Sequence, residues 1–391
     1  MSSQLTREVQ QVVSGGSPMS YTKVQQSARS EIEFSHEDLE KIERFRKLVR
    51  TRHRLILSLI PCLALAGIPA SPLIVKNAAT GDQSVACGVF AIQGAPFTNS
   101  PALDLPYVAG LSARFAWKDL EPRQGEYDWQ LLENAHKLAL ARKKPMIVRV
   151  VSGMHAPEWV YKLDGVRSVT FGPAEVSWLK FETRMPVPWD EPHLAAWEKM
   201  VQALGKKIDG WSDVPCVQMA GGGFIDEMHL AKRTKNALAQ WKAVEVSEEK
   251  VEALWKRIIS MYDKYVPKRM GIGINLAPPL DGYKTAEAIH KWALQEYPGR
   301  VWFQQNGLTA RWNGDSIWSK MILEGSKTTT VGYQLGGAGE RIGDRTKTYA
   351  RAVEDGCSYV EIFHYDLRGG KWETETQVLA KGLEENHRKL K

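Results

Sequence analysis

Short apolar runs recur along the chain after about residue 84, and Gly or Pro bounds each run, as expected for buried strands. Between most of these runs, apolar residues repeat at three- and four-residue spacing, as they do on one face of an amphipathic helix. The predicted strands cover residues 86–94, 110–117, 144–152, 214–221, 269–277, 300–307, 328–336 and 357–366. The predicted helices are Trp129–Arg142, Pro192–Ile208, Ser247–Val266, Thr285–Tyr297, Asp315–Glu324, Arg345–Asp355 and Glu375–Lys389.

Strands that alternate with helices favour a parallel sheet. Eight such units in roughly 300 residues predict an α/β fold of the (β/α)8 TIM-barrel type, and we expect it to span residues 84–391. The first strand–helix connection, 95–109, is irregular, and 160–190 is a long insertion after the third strand. An open doubly wound sheet is the main alternative, but the sequence lacks the phosphate-binding glycine loops typical of that fold.

The N-terminal part does not share this pattern. Residues 1–54 are rich in Ser, Gln and Gly and then in charged residues, which predicts a disordered or charged extension. An uncharged apolar run, 55–75, follows a short basic stretch and ends in small residues, as a signal peptide does. Because this signal begins late, either the true start lies near Leu48 or Val49, or the run is a signal anchor. We expect export with cleavage near Ala70, and anchoring in a membrane by 55–75 is the alternative.

Composition narrows the classes of partner. With 43% hydrophobic and 25% charged residues and a net charge of +7, the chain is an ordinary globular protein whose basic residues have acids nearby. That distribution predicts a solvated surface and not a nucleic-acid groove. Fourteen tryptophans is a high number, and it is consistent either with a large aromatic core or with a site that places flat rings against sugars.

The four cysteines have no metal-type spacing, which argues against zinc and iron–sulfur sites. We expect no metal and no other cofactor. Cys87 and Cys357 precede the first and last predicted strands, which are neighbours in a closed barrel. The two could therefore form a disulfide in an oxidising compartment. Buried thiols are the alternative.

Two carboxylates stand at the ends of predicted strands. The glycine-rich segment Gly221–His229 places Glu227 just past the fourth strand, and Glu361 lies on the eighth. The carboxyl ends of barrel strands hold catalytic groups, and paired carboxylates suggest glycoside chemistry. Asp226 competes with Glu227 for the role of acid.

The face on which Glu361 lies follows from strand alternation. Glu361 shares one face with Tyr359 and Phe363, and an ionised carboxylate is less costly in the lumen than under the helices. In the lumen it could act on substrate. The alternative is that it pairs with a lumen arginine such as Arg114 or Arg149.

Several motifs resemble those of a known group of enzymes. Leu111–Trp129, with its Glu-Pro and Tyr-Asp-Trp elements, resembles the second-strand signature of clan A glycoside hydrolases, closest to β-galactosidase-type family 42 and its uncharacterised relatives. Val148–Trp159 and Pro186–Asp190 are similar to other parts of the same proteins. The resemblance implies a (β/α)8 barrel with an acid/base Glu ending strand four, usually after Asn, and a nucleophilic Glu ending strand seven. Glu227 matches the first but follows Asp226.

Strand seven departs from that pattern, because it carries Gln334 and no acid. The prediction is therefore a glycoside hydrolase acting on a β-linked glycan or glycoside, with Glu227 as general acid and Glu361 as nucleophile or charge stabiliser. A non-catalytic carbohydrate-binding barrel that has lost the strand-seven nucleophile is the alternative. The predicted substrate-binding residues are Arg114, Trp117, His155, Trp159, Gln305, Asn306, Gln334 and Asp366.

Overall fold

The computed structural model describes residues 86–176, 179–230, 234–280 and 282–390, and also the backbone of the short antiparallel pair Lys76–Asn77 and Gln83–Ser84. The predicted extension 1–54 and the apolar run 55–75 lie outside the described residues. Within the described ranges, no helix is both long enough and apolar enough to cross a membrane.

Eight parallel strands close into a barrel, which confirms the predicted (β/α)8 fold. Each strand pairs with its neighbours in chain order, and the last pairs with the first. The eight predicted strands each overlap one barrel strand, with ends that differ by a few residues. The strands are β1 (Gly88–Gly94), β2 (Val108–Ala116), β3 (Met146–Val151), β4 (Cys216–Gln218), β5 (Gly271–Leu276), β6 (Val301–Leu308), β7 (Val331–Leu335) and β8 (Tyr359–Phe363).

Helices follow the strands, and every predicted helix is present. One helix, Lys235–Ala243, was not predicted because it buries only Ala237 and Trp241, too few positions to reveal a period. A single helical turn, Trp117–Leu120, also follows β2 directly. The longer helices are α1 (Gln130–Leu140), α2 (Glu191–Ile208), α3 (Lys235–Ala243), α4 (Glu248–Tyr265), α5 (Lys284–Glu296), α6 (Ile317–Gly325), α7 (Arg345–Glu354) and α8 (Glu373–Leu390). Short 3-10 turns cover Pro101–Asp104, Gly153–His155, Val160–Lys162 and Gly339–Ile342.

The long insertion after β3 contains a hairpin. Ser168–Phe171 pairs antiparallel with Thr183–Pro186. Gln240 of α3 continues the hydrogen bonding of this hairpin, because its side chain donates to the Thr170 carbonyl (2.7 Å) and accepts from the Thr170 amide (2.8 Å). The hairpin and α3 therefore stabilise each other.

The lumen is apolar at its amino-terminal end. Phe90, Ile147, Cys216, Trp302 and Tyr359 form a cluster separate from the main core between sheet and helices. Small residues make room for these rings: a Cβ atom at Gly332 would lie 2.5 Å from Cζ of Tyr359, closer than atoms approach. The polar side chains that face the lumen therefore lie above this floor.

The three cysteines among the described residues are not cross-linked. No disulfide joins Cys87 to Cys357 in the described part of the chain, so the pairing considered from the sequence is not formed. Cys216 and Cys357 are fully buried thiols, and burial raises the pKa of both well above the ordinary value. Neither thiol is activated for chemistry.

Candidate active site

Glu361 lies at the centre of the lumen with its carboxylate fully bonded. One oxygen accepts hydrogen bonds from Ser112 Oγ (2.6 Å) and Arg149 Nη2 (3.1 Å). The other accepts from the same Arg149 nitrogen (2.9 Å) and from Gln304 Nε2 (2.9 Å). The side chains of Glu361 and Arg149 are both 0% exposed. Strand alternation therefore predicted the correct face for Glu361.

This position does not fit the predicted nucleophile. A substrate carbon would have to reach an oxygen that is closed off from solvent and occupied by donors. A charge buried in this way must keep its partner, because an unpaired ion in the interior costs several kcal/mol. The structure instead has the alternative arrangement, in which Glu361 neutralises Arg149 and orders the middle of the barrel.

Asp226 is held one layer above by the same arginine. Its Oδ2 atom lies 3.0 Å from Arg149 Nη1 and 3.3 Å from Arg114 Nη2, and it accepts a hydrogen bond from Asn275 Nδ2 (3.2 Å). Burial opposes ionisation of this carboxyl, but the charges of Arg114 and Arg149 outweigh it and hold the pKa of Asp226 below its usual range. Its second oxygen, Oδ1, is buried and has no hydrogen-bond partner among the described residues.

Gln334 occupies the end of β7, where the resembled enzymes carry their nucleophile. Its Oε1 atom accepts hydrogen bonds from Arg114 Nη2 (3.1 Å) and Arg149 Nη1 (3.2 Å). An amide oxygen between two guanidinium groups is fixed and uncharged. Gln334 thus belongs to the lumen network and supplies no attacking group.

Glu227 is positioned by the glycine-rich segment that follows β4. After a detour, Glu227 pairs in parallel with Asn275 of β5 and so rejoins the edge of the barrel. The detour requires close backbone approach: a Cβ atom at Gly223 would lie 1.8 Å from the Glu227 carbonyl oxygen. Only glycine fits there.

The Glu227 carboxylate is partly open to solvent, with 17% of its side chain exposed. Oε1 accepts a hydrogen bond from Asn306 Nδ2 (3.1 Å), and Oε2 lies 2.8 Å from Nδ1 of His229, which is itself 32% exposed. Asp226 and Glu361 are 0% exposed, so Glu227 is the most accessible of these three carboxylates.

Two amides in series connect Glu227 to Glu361. Asn306 Oδ1 accepts from Gln304 Nε2 (2.6 Å), and the same Gln304 nitrogen donates to Glu361. Gln304 was not among the predicted residues, although strand alternation could have found it, because it shares a face with Asn306. Gln305 was predicted to bind substrate, but it lies between Gln304 and Asn306 and therefore faces the other side of the strand. Phe303 is on that same side and packs in the core beneath the helices.

Trp117 is enclosed and does not line the cleft as predicted, whereas Trp159 is partly exposed and packs against Trp117. Trp117 is 0% exposed and donates from Nε1 to Glu121 Oε2 (2.7 Å), while Trp159 Nε1 donates to the Glu121 carbonyl (3.0 Å). The two rings meet edge to face. Glu121 also accepts from the Gly125 amide (2.8 Å) and so fixes the turn between β2 and the next helix. The second-strand motif is thus a structural element here.

Asp366 also has a structural position. It accepts from Arg345 Nη2 (2.6 Å) and from the Gly339 amide (3.0 Å), and the Arg345 guanidinium stacks on Trp372. Asp366 ties the loop after β8 to the loop after β7 and does not face a substrate. His155 is partly exposed, and burial together with the charges of Lys118 and Arg114 lowers its pKa.

Comparisons with known proteins give a fold likeness without a family. No family model matches the chain, and no curated protein matches it. A β-galactosidase from Bacillus circulans sp. alkalophilus has a TM-score of 0.49 and 12% identity over 77% of this chain and 56% of its own. A family 10 xylanase from Bispora sp. MEY-1, solved with xylobiose, has a TM-score of 0.42 and 9% identity over 71% of this chain and 82% of its own.

This chain thus spans little more than half the length of that β-galactosidase. At this similarity neither enzyme assigns an activity to it. The resemblance to family 42 stays a prediction.

Proposed function

We propose that this protein is a glycoside hydrolase that acts on a β-linked glycan or glycoside, with Glu227 as the general acid. The observation that carries the proposal is the setting of Glu227: an accessible carboxyl group at the carboxyl end of a barrel strand, held on both oxygens. A general acid must meet the glycosidic oxygen at hydrogen-bond distance, so accessibility and fixed orientation are its first requirements.

Asn306 and His229 have separate roles in this proposal. Asn306 fixes Oε1 through its Nδ2 atom, so the carboxyl plane is defined before substrate arrives. His229 contacts the other oxygen at 2.8 Å and is itself partly exposed, so it fixes the second oxygen at the mouth of the site. Glu227 can then release its proton to the leaving oxygen and recover one from the attacking water.

The substrate would bind above the polar layer of the lumen. Arg114, with 29% of its side chain exposed, His155 and Asn306 are the predicted binding residues that remain both polar and partly open to solvent. We retain these three as sugar-binding groups. The other predicted binding residues have supporting roles in this proposal, because they position the loops and strands around the site. They are Trp117, Trp159, Gln305 and Asp366.

A second candidate function is a non-catalytic carbohydrate-binding barrel. The enclosed Glu361 and the amide of Gln334 between Arg114 and Arg149 favour it, since neither supplies a nucleophile. The two candidates share the cleft and differ only in turnover.

Turnover by matched variants separates the candidates. We expect purified wild type to release nitrophenol from at least one 4-nitrophenyl glycoside in a panel of α and β sugars. Glu227→Gln should lower kcat by about 10²–10⁴-fold, the usual contribution of a general acid. Glu340→Gln is the control, because Glu340 is an exposed acid after β7 whose side chain pairs only with Lys371 among the described residues. Full activity in Glu227→Gln would refute the role of Glu227. Glycan binding without cleavage of any substrate would establish the binding barrel.

We also propose export, with cleavage of the 55–75 segment near Ala70. The intact mass of the protein recovered from its native compartment tests this. A mass that still includes residues 55–75 would favour membrane anchoring by that segment.

A further inference from the structure

Among the described residues, the site has an acid but no group placed to attack the anomeric carbon. Glu361 is enclosed and bonded to three side chains, and β7 carries Gln334 next to its last residue. Asp226 is committed through Oδ2 to Arg114, Arg149 and Asn275. A retaining glycoside hydrolase of this composition needs its nucleophile from elsewhere.

Asp226 has a feature that a purely structural ion pair does not need. Its Oδ1 atom is buried without a hydrogen-bond partner among the described residues, although a buried acceptor that is left unpaired is destabilising. The residue immediately precedes Glu227. Its other oxygen, Oδ2, pairs with Arg114, whose side chain is 29% exposed and borders the cleft, so Asp226 lies next to the open part of the site.

We propose that the substrate is a 2-acetamido-2-deoxy-β-glycoside, whose own acetamide oxygen attacks the anomeric carbon while Asp226 Oδ1 accepts the acetamide N–H. This inference rests on the proposed hydrolase function and names its substrate class. The unpartnered Oδ1 atom needs a hydrogen-bond donor, and the acetamide N–H next to the reacting carbon would supply one. Substrate assistance of this kind is an established exception to the two-carboxylate mechanism.

The chemistry balances without a further reagent. In the first step the bond between C1 and the glycosidic oxygen breaks, and that oxygen takes the proton of Glu227 as the acetamide oxygen bonds to C1. The product is a cyclic oxazolinium ion, whose N–H stays on nitrogen and is bonded to Asp226. In the second step water attacks C1 and gives a proton to the Glu227 carboxylate. The bond between C1 and the acetamide oxygen breaks, the acetamide is restored, and the β configuration is retained.

Asp226 suits this role because it is an anion. The oxazolinium ion carries a positive charge next to the acetamide nitrogen, and a fixed carboxylate placed there stabilises the transition state. Arg114, Arg149 and Asn275 hold Oδ2, so the carboxyl group does not need to rotate when substrate arrives. The enclosed position also excludes water from the N–H contact.

A substrate series tests the inference independently of any variant. We expect 4-nitrophenyl 2-acetamido-2-deoxy-β-glucoside to be cleaved and 4-nitrophenyl β-glucoside not to be. Replacing the acetyl group by mono-, di- and trifluoroacetyl groups should lower kcat progressively, because fluorine withdraws electrons from the attacking oxygen. A pocket that merely accommodates the acetamide would show no such trend.

A matched pair of variants tests the residue. Asp226→Asn should lower kcat for the 2-acetamido substrate by about 10²–10³-fold, as loss of one charge-stabilising group does. Asp263→Asn is the control: Asp263 also bonds a buried arginine, Arg300, at the opposite end of the barrel, and its loss should leave kcat unchanged. Because Asp226→Asn could unfold, binding of the stable thiazoline analogue of the oxazoline to wild type supplies a second measurement, and we expect it to bind more tightly than the free 2-acetamido sugar.

The outcomes separate the inference from the function on which it rests. Cleavage with the fluorine trend and tight thiazoline binding supports both. Cleavage of plain β-glycosides without dependence on the 2-substituent overturns the inference and leaves the hydrolase. No cleavage of any glycoside overturns both and leaves the binding barrel.

Discussion

Glu361 provides the sharpest test of how the lumen is organised. We expect Glu361→Gln to lower the stability of the barrel while leaving any catalytic turnover nearly intact, because the carboxylate serves Arg149 and not the substrate. Removing one partner from a buried ion pair costs about 3–5 kcal/mol. The lower end applies here, about 3 kcal/mol, because Asp226 still balances part of the charge of Arg149 at 3.0 Å.

The measurement is thermal and urea unfolding of the purified variant. A loss of about 3 kcal/mol corresponds to a fall in Tm of roughly 6 °C for a domain of this size. Glu227→Gln is the matched control, since its side chain is 17% exposed, and its stability should stay within about 1 kcal/mol of wild type. The double variant Arg149→Met/Glu361→Gln should lose less than the sum of its single variants by about 0.5–3 kcal/mol, because the two residues contact each other.

The catalytic activity of Glu361→Gln decides whether Glu361 positions Arg149 or acts as a nucleophile. A positioning role predicts that kcat of Glu361→Gln stays within about tenfold of wild type, a change of 1.4 kcal/mol. A nucleophile predicts a loss on the order of 10⁴-fold or more. Wild-type stability combined with the larger loss would refute the placement of Glu361 described above.

Three further predictions follow from buried groups. Trp117→Phe should lower the free energy of unfolding by about 1–3 kcal/mol, because it removes the hydrogen-bond donor to the buried Glu121 oxygen. The KM for a glycoside should not change. An altered KM with unchanged stability would show that Trp117 contacts the substrate. Burial lowers the pKa of His193 to about 4, so the unfolded chain takes up a proton at a higher pH than the folded protein does. The free energy of unfolding should therefore fall by at most about 3 kcal/mol as pH drops from about 6.5 to 4. His193→Gln should flatten that slope, and an unchanged slope would contradict the assignment. Gln334→Glu should fold with a Tm close to that of wild type, because the guanidinium groups of Arg114 and Arg149 already face the side-chain oxygen at this position. A large fall in Tm would contradict that reasoning.

Much of the fold was readable from the chain. Alternation of apolar strands with amphipathic helices depends on local spacing, so eight strands and their closure into a barrel followed from the sequence. The insertion hairpin and α3 were missed, since α3 buries only two apolar residues and offers no period. Strand alternation also put Glu361 in the lumen correctly.

The candidate site divides in the same way. The position of Glu227 past β4 could be predicted, because the glycines that permit its close backbone approach are sequence neighbours. The roles of Trp117 and Asp366 could not, since a tryptophan at a strand end and an acid after a strand look the same whether they face a ligand or a partner such as Glu121 or Arg345.

The sequence by itself determined the periodicity, the approximate positions of the strands and the identity of the carboxylates. Only the tertiary structure decided which carboxylate is accessible and which is neutralised. Arg149 and Glu361 are 212 residues apart in the chain and 2.9 Å apart in the lumen. Closure of the barrel brings every strand to one axis, where each ion must find a partner or remain open to water. That pairing is a property of the closed barrel and not of any local segment, which is why it decided the chemistry of the site.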